Sequence, residues 1–379
     1  FMPLVVLWGF VDVFDGGAGE DSYIINNSDV QDFAFNIDLQ AGTDQYGNTY
    51  FGIENLDGGA GNDSFVGTDG ANVLLGRGGD DLLDGAGGDD VMIGGAGDDT
   101  HIGGAGDDFI IASEGNDVYD GGEGVDTFNI DVAETEYTQA YNLNLETGSD
   151  DIGNTYTAIE NVTGGWGDDT LIGDAVDNIL DGGVGDDVVR GGAGNDSVAG
   201  GLGNDIVDGG AGDDVLFGSF GTDDYIGGIG VDTLFIGGSE NAPASYNIDL
   251  EQGLDQFGNT YDGIENITTG AGNDNMLGSD ADNQLVGNEG DDTLNGGAGN
   301  DNFGIEGIAG NIEITDFTKG DDQIDVSGIE GVDDFADLAD FLIAGDGNST
   351  LTFDLEGDDQ LQLLIASEEE LDETDFLFG

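Results

Sequence analysis

The chain has 379 residues, of which 83 are Asp or Glu, 3 are Lys or Arg, 74 are Gly, 2 are Pro and none is Cys, for a formal charge of −80. Arg77, Arg190 and Lys319 cannot neutralise a run of phosphates, which argues against nucleic acid or an anionic membrane as partner, and without a thiol there is no disulfide, cysteine nucleophile or thiolate metal site. Hydrophobic residues still reach 37% and aromatics 8%, too apolar a balance for a disordered polyelectrolyte, so ordering this chain calls for positive charge from outside it.

In chain order, residues 1–10 (FMPLVVLWGF) are too short to span a bilayer and lack the basic start of a secretory signal, and they are expected to form a strand. A first residue of Phe suggests a processed product or part of a longer chain. A nine-residue period then dominates. Residues 58–129 divide without insertion into eight blocks such as GGAGNDSFV and GGAGDDFII, residues 164–235 into eight more, residues 269–304 into four, and residues 16–24 form one. That makes 21 blocks of the form GGxGxDxUx, where U is large and apolar.

A longer period encloses this one. NIDLQAGTDQYGNTYFGIEN from Asn36, NLNLETGSDDIGNTYTAIEN from Asn142 and NIDLEQGLDQFGNTYDGIEN from Asn247 recur at offsets of 106 and 105. Each reads as two strands joined at a Gly-Asn turn, a hairpin inserted before a fresh run of blocks. The expected divisions are 1–24 (N-terminal strand and the end of a preceding roll), 25–129, 130–235 and 236–304 (each an insert plus a run), and 305–379.

Within a block the first six positions are too glycine-rich for strand or helix and must turn. The last three make a short strand whose middle side chain points to one face. Two blocks close one coil of 18 residues, and coils stack as parallel strands about 4.8 Å apart, an all-β parallel roll whose U residues (Phe65, Leu74, Leu83, Met92, Ile110, Tyr119 and Phe128 in the first run) line the core.

Stacking also brings turns 18 residues apart into contact, so their position-6 carboxylates converge. These are Asp63, Asp81, Asp99 and Asp117 on one edge and Asp90, Asp108 and Asp126 on the other. Asp169, Asp187, Asp196, Asp205, Asp214, Asp223 and Asp232 follow in the second run, and Asp274, Asp292 and Asp301 in the third. Like charges this close require a cation between them, and carboxylate and carbonyl oxygens suit Ca²⁺ better than the small octahedral Mg²⁺. Aspartate pairs number 11, and Asn72, Asn178 and Asn283 offer three weaker sites beside Asp90, Asp196 and Asp301, so roughly 11 to 14 Ca²⁺ are expected.

At this point the motif resembles a known family, the RTX (repeats-in-toxin, haemolysin-type) calcium-binding parallel β-roll proteins. The resemblance implies that the first six positions of each block hold Ca²⁺ between coils. Ala112-Ser113-Glu114 in place of GGx, His101 at a U position and the three Asn blocks depart from the pattern. After residue 304 the period stops; alternating strands and one short amphipathic helix in DDFADLADFL read as a β-rich cap for an open roll end. This region is similar to the C-terminal part of serralysin-type members, which implies that Asp375, Phe376, Leu377 and Phe378 form a type I secretion signal.

Other sites are weaker. The single His101 cannot build an HExxH zinc site and reads as a core residue, no GxSxG or P-loop stands between a strand and a helix, and Trp166 lies at a variable turn position. Val73, Leu75, Val91, Ile93, Phe109 and Ile111 form an outward apolar stripe, either covered by an inserted hairpin or serving as an interface for self-assembly. The function expected is a secreted, extracellular or cell-surface calcium-binding protein with a structural role, as a surface-layer, matrix, filament or adhesin component without catalysis. The rival is the non-catalytic tail of a larger secreted enzyme or toxin, such as a protease, lipase or epimerase, whose catalytic domain is absent from this chain.

Overall fold

The computed structural model describes residues 11–25, 33–130, 140–237, 245–305, 310–329, 332, 334–339, 342–344, 349–354, 360–367 and 371–379. The strand expected over residues 1–10 lies outside them. The chain forms two compact units, Phe1–Val188 and Val189–Gly379, so the boundary falls inside the second nonapeptide run.

In the first unit every block contributes one short strand, and strands two blocks apart pair in parallel. Val73–Gly78 lies beside Val91–Ala96 with Leu74 opposite Met92, and Thr100–Ala105 lies beside Val118–Glu123 with His101 opposite Tyr119. The offset is 18 residues, as two blocks per coil require. Odd and even blocks therefore build two facing sheets, and the alternation within each strand sends U inward. Phe65, Leu74, Leu83, Met92, Ile110, Tyr119 and Phe128 are all fully buried. Each such side chain contributes roughly 2 kcal/mol on burial, but only because neighbouring coils cover it above and below. His101 occupies a U position, fully buried and stacked on Tyr119 with ring centroids 4.8 Å apart.

The inserts are more than hairpins. Asn36–Asp38 pairs antiparallel with Thr43–Asp44, which pairs antiparallel with Thr49–Phe51. The outer two members rejoin the roll in parallel, Thr49–Phe51 beside Val13–Asp15 and Asn36–Asp38 beside Ser64–Val66. The insert's final strand, Asn55–Asp57, enters the opposite sheet between Ser22–Ile24 and Val73–Gly78. The second insert repeats this with Asn142–Asn144, Ser149–Asp150, Thr155–Thr157 and Asn161–Thr163. One sheet thus gains an antiparallel meander while the other stays parallel. The residues GNTYxxIEN build a modified coil, with Tyr50 and Leu56, or Tyr156 and Val162, in the core. The hairpin strands belong to the sheet opposite the apolar stripe, so they do not cover it; Val73, Leu75, Val91, Ile93, Phe109 and Ile111 are half-buried side by side along their own sheet.

The second unit follows the same plan. Ile206–Ala211 pairs with Asp224–Ile229, Val215–Phe217 with Thr233–Ile236, and the third insert adds Asn247–Asp249, Leu254–Asp255 and Thr260–Asp262. Beyond the last block both sheets continue into the C-terminal region. Gly310–Ile314 extends one sheet and pairs with Gln360–Ile365, itself part of an antiparallel meander with Ser349–Asp354 and Leu342–Ala344. Gln323–Asp325 extends the other sheet and carries Phe376–Leu377. The expected helix is present as Phe335–Ala339. This region is the β-rich cap. Asp375, which accepts the backbone N–H of Asp372 at 2.7 Å, and Phe376 are buried in it, and Lys319 ties the segment down through Asp372 at 2.8 Å. Among the described residues no helix is long and apolar enough to cross a membrane.

Candidate metal centre

Position 6 of the block follows the tight turn, and the strand hydrogen bonding that stacks the coils also stacks this residue. Inside a run the backbone N–H of an aspartate donates to Oδ1 of the aspartate one coil on. In the first unit Asp63 donates to Asp81 (2.7 Å), Asp81 to Asp99 (2.8 Å) and Asp99 to Asp117 (2.8 Å) on one edge. Asp90 donates to Asp108 (2.8 Å) and Asp108 to Asp126 (2.7 Å) on the other, and Asp169 to Asp187 (2.6 Å) further along. In the second unit Asp196 donates to Asp214, Asp214 to Asp232, Asp205 to Asp223 and Asp274 to Asp292, at 2.8 to 2.9 Å. Asp301 donates to Asp322 of the cap at 3.0 Å. All seventeen sequence-nominated aspartates are between 0% and 3% exposed.

In many of them one carboxylate oxygen is thereby satisfied and the other is not. Oδ2 of Asp81, Asp90, Asp99, Asp108, Asp126, Asp232, Asp274 and Asp292 is buried without a hydrogen-bond partner, an arrangement that costs several kcal/mol per ion unless a counter-charge is supplied. Without one, desolvation outweighs the backbone hydrogen bond and pushes Asp81 up to about 8, Asp90 and Asp292 to about 7, and Asp99, Asp126, Asp232 and Asp301 to about 6. Neighbouring carboxylates add to the rise. The same burial raises Asp63, Asp108, Asp169 and Asp274.

The first glycine of the block completes the site. A Cβ on Gly85 would overlap both Asp90 Oδ2 and the carbonyl oxygen of Gly103 one coil on, so the missing side chain leaves a cradle between a carboxylate oxygen and a peptide oxygen. These are hard oxygen donors of the kind Ca²⁺ collects in sets of six to eight. Among the described residues no group of three His, Cys, Asp or Glu side chains gathers at one point, because carboxylates arrive from successive coils and carbonyls supply the remainder. The residues present therefore fit Ca²⁺, whose charge would reverse the upward pKa shifts.

Where the motif breaks, protein donors enter the cradle. Tyr119 OH donates to Asp117 Oδ2 at 2.9 Å, helped by Ser113 at 3.2 Å. Tyr225 OH donates to Asp223 Oδ2 at 2.9 Å, with Ser219 at 3.4 Å. Asp117 and Asp223 thus have both oxygens met inside the protein, as do Asp63 and Asp169, whose Oδ2 accepts the N–H of Gly59 and Gly165 at 3.0 Å. Asn72 and Asn283 turn their amide Nδ2 onto the carbonyl oxygens of Glu54 (2.7 Å) and Glu265 (2.8 Å) in the preceding coil. Asparagine fits there because the insert presents a carbonyl where a nonapeptide coil presents an N–H.

Two sets of residues escaped the motif. Asn154 and Asn259 accept the N–H of Asp117 (2.7 Å) and Asp223 (2.8 Å), standing in for position 6. Their own amides are held by Asp150 and Asp255, which also take the hydroxyls of Tyr156 and Tyr261 at 2.8 Å. On the other edge Glu54, Glu160 and Glu265 accept the N–H of Asp21, Asp126 and Asp232. Aligning the Asn-x-Tyr of GNTY with the D-x-U of a block is the signal that finds the first set. Trp166 is 53% exposed.

A protein-family model for the RTX calcium-binding nonapeptide repeat (4 copies) matches residues 57–92, 66–100, 93–128, 163–198, 199–234, 261–285 and 268–303. The chain belongs to this family, and it is an RTX parallel β-roll protein. No curated protein sequence matches the chain. Among solved structures the chain is similar to the extracellular lipase LipA from Serratia marcescens, at 17% identity over 86% of this chain and a TM-score of 0.17. The chain spans 41% of that lipase's length.

Proposed function

We propose that this RTX protein is secreted and folds when it meets extracellular Ca²⁺, serving as a structural or interaction component of a surface layer, matrix, filament or adhesin without catalysis of its own. One observation carries the reading: a periodic column of buried aspartates, many with one oxygen bonded to the neighbouring coil and the other, as at Asp90, beside a carbonyl-lined cradle. Such a column repeats one arrangement from coil to coil, whereas a catalytic site gathers unlike groups at one place. At −80 formal charge, self-repulsion opposes the compact state until cations bind, and binding energy then becomes folding energy. A low-calcium cytosol would keep the chain unfolded until export.

Far-UV circular dichroism of the full chain, titrated from chelator into millimolar Ca²⁺, tests this. A cooperative rise in strand signal is expected, and equal strand content in chelator overturns it. Electron microscopy of the calcium form addresses the assembly part, which fails if only dispersed single molecules are seen.

A further inference from the structure

On one edge of the roll the nonapeptide aspartates end at Asp126 before the second insert and at Asp232 before the third. The next coil there carries IEN and no aspartate at position 6. The ladder nevertheless continues. Asp126 N–H donates to Glu160 Oε2 at 2.8 Å and Asp232 N–H to Glu265 Oε2 at 2.9 Å, the bond that Asp108 N–H makes to Asp126 Oδ1 within the run. Glutamate rather than aspartate fits because the insert is displaced along the chain. Glu160 and Asn161 both hang their N–H groups on the Asp126 carbonyl, at 3.2 and 2.9 Å, where Thr127 alone bonds Asp108 O inside the run. The additional methylene of Glu spans that offset.

The space beside these residues is built like an in-run cradle. Asp126 and Asp232 are 0% exposed, and Oδ2 of each has no hydrogen-bond partner. A Cβ on Gly121 would meet Asp126 Oδ2 at 2.5 Å and overlap the carbonyl oxygen of Ala158; one on Gly227 would meet Asp232 Oδ2 at 2.7 Å and overlap that of Gly263. Ala158 and Gly263 share a left-handed backbone, with φ of 50° and 64°, a conformation that is strained for Ala158 and persists where the surroundings require it. The opposite edge of the same coils is closed by the Tyr119 and Tyr225 hydroxyls.

We propose that Glu160 and Glu265 each complete one further divalent-cation site beyond the nonapeptide motif, with Asp126 and Ala158, or Asp232 and Gly263, as the other oxygen donors. The cation is Ca²⁺, so the proposal rests on the calcium reading above. Native mass spectrometry of the full chain in saturating Ca²⁺ counts bound ions as integers. Glu160→Gln and Glu265→Gln keep the acceptor for the aspartate N–H and remove the charge. Each is expected to lose one ion, and the double variant two, with strand content retained. An unchanged count in the folded double variant overturns the proposal. Loss of order in both single variants at saturating Ca²⁺ overturns it too, since the glutamates would then be structural. The in-run variant Asp108→Asn separates the two ideas: if it loses no ion, or the unaltered chain binds none, the calcium reading itself fails.

Discussion

Withdrawing calcium and then lowering the pH should restore order that chelation removes. Asp81, Asp90, Asp99 and Asp126 of the first unit rise, in the ion-free fold, from an ordinary 3.8 to about 8, 7, 6 and 6 through burial. A carboxylate raised in the fold contributes stability that is complete below its unfolded value and is lost as pH climbs through its folded value. The loss therefore accumulates from the unfolded value of 3.8 up to the folded values of about 6 to about 8, and the four groups together are worth on the order of 10 kcal/mol over that span. His101 works the other way: desolvation lowers it to about 4, so its contribution is present above about 6.5 and lost as pH falls, by at most about 3 kcal/mol. The aspartates win. Far-UV circular dichroism in a strong chelator, titrated from about pH 9 to about pH 5, is expected to show strand signal appearing on acidification, protons replacing calcium. In calcium the dependence inverts, because protons compete for the same oxygens and the calcium midpoint moves to higher concentration as pH falls. A chelated chain whose strand content stays constant or falls between about pH 8 and about pH 5 would refute the burial argument for these aspartates.

Ile110 is fully buried, with Met92 and Phe128 in register on either side. Ile110→Ala should cost about 2 to 5 kcal/mol, read as a higher calcium midpoint for folding with an unchanged number of bound ions. Tyr119→Phe deletes the hydroxyl that satisfies Asp117 Oδ2 and should cost about 1 to 3 kcal/mol in thermal or urea unfolding of the calcium form. Stability equal to the unaltered chain would show that the hydroxyl is not what closes that rung.

Much of the site was legible because repetition multiplies a weak signal. A single GGxGxD says little, but Asp90, Asp108 and Asp126 at a constant spacing with apolar Met92, Ile110 and Phe128 two residues on leave one way to coil the chain, and the structure stacks them so. The inserts were legible only as a period. Their GNTY segment has a strand's composition, and nothing local announces that Asn154 would take an aspartate's place or that the strand Asn142–Asn144 would sit two places further along its sheet than Thr155–Thr157, which follows it in sequence. The apolar stripe shows the same limit, since the inserted hairpin joins the opposite sheet.

Sequence alone determined the coil length, the inward set of side chains and the need for external cations, because each follows from a fixed period, the two-fold alternation of a strand and an excess of negative charge. Only the tertiary structure decided which carboxylates keep an empty oxygen, which are met by Tyr119 or Tyr225, and where an asparagine amide takes a peptide carbonyl instead. The asparagine choice depends on which backbone group the preceding coil presents, an N–H or a carbonyl, and the answer changes where that coil belongs to an insert.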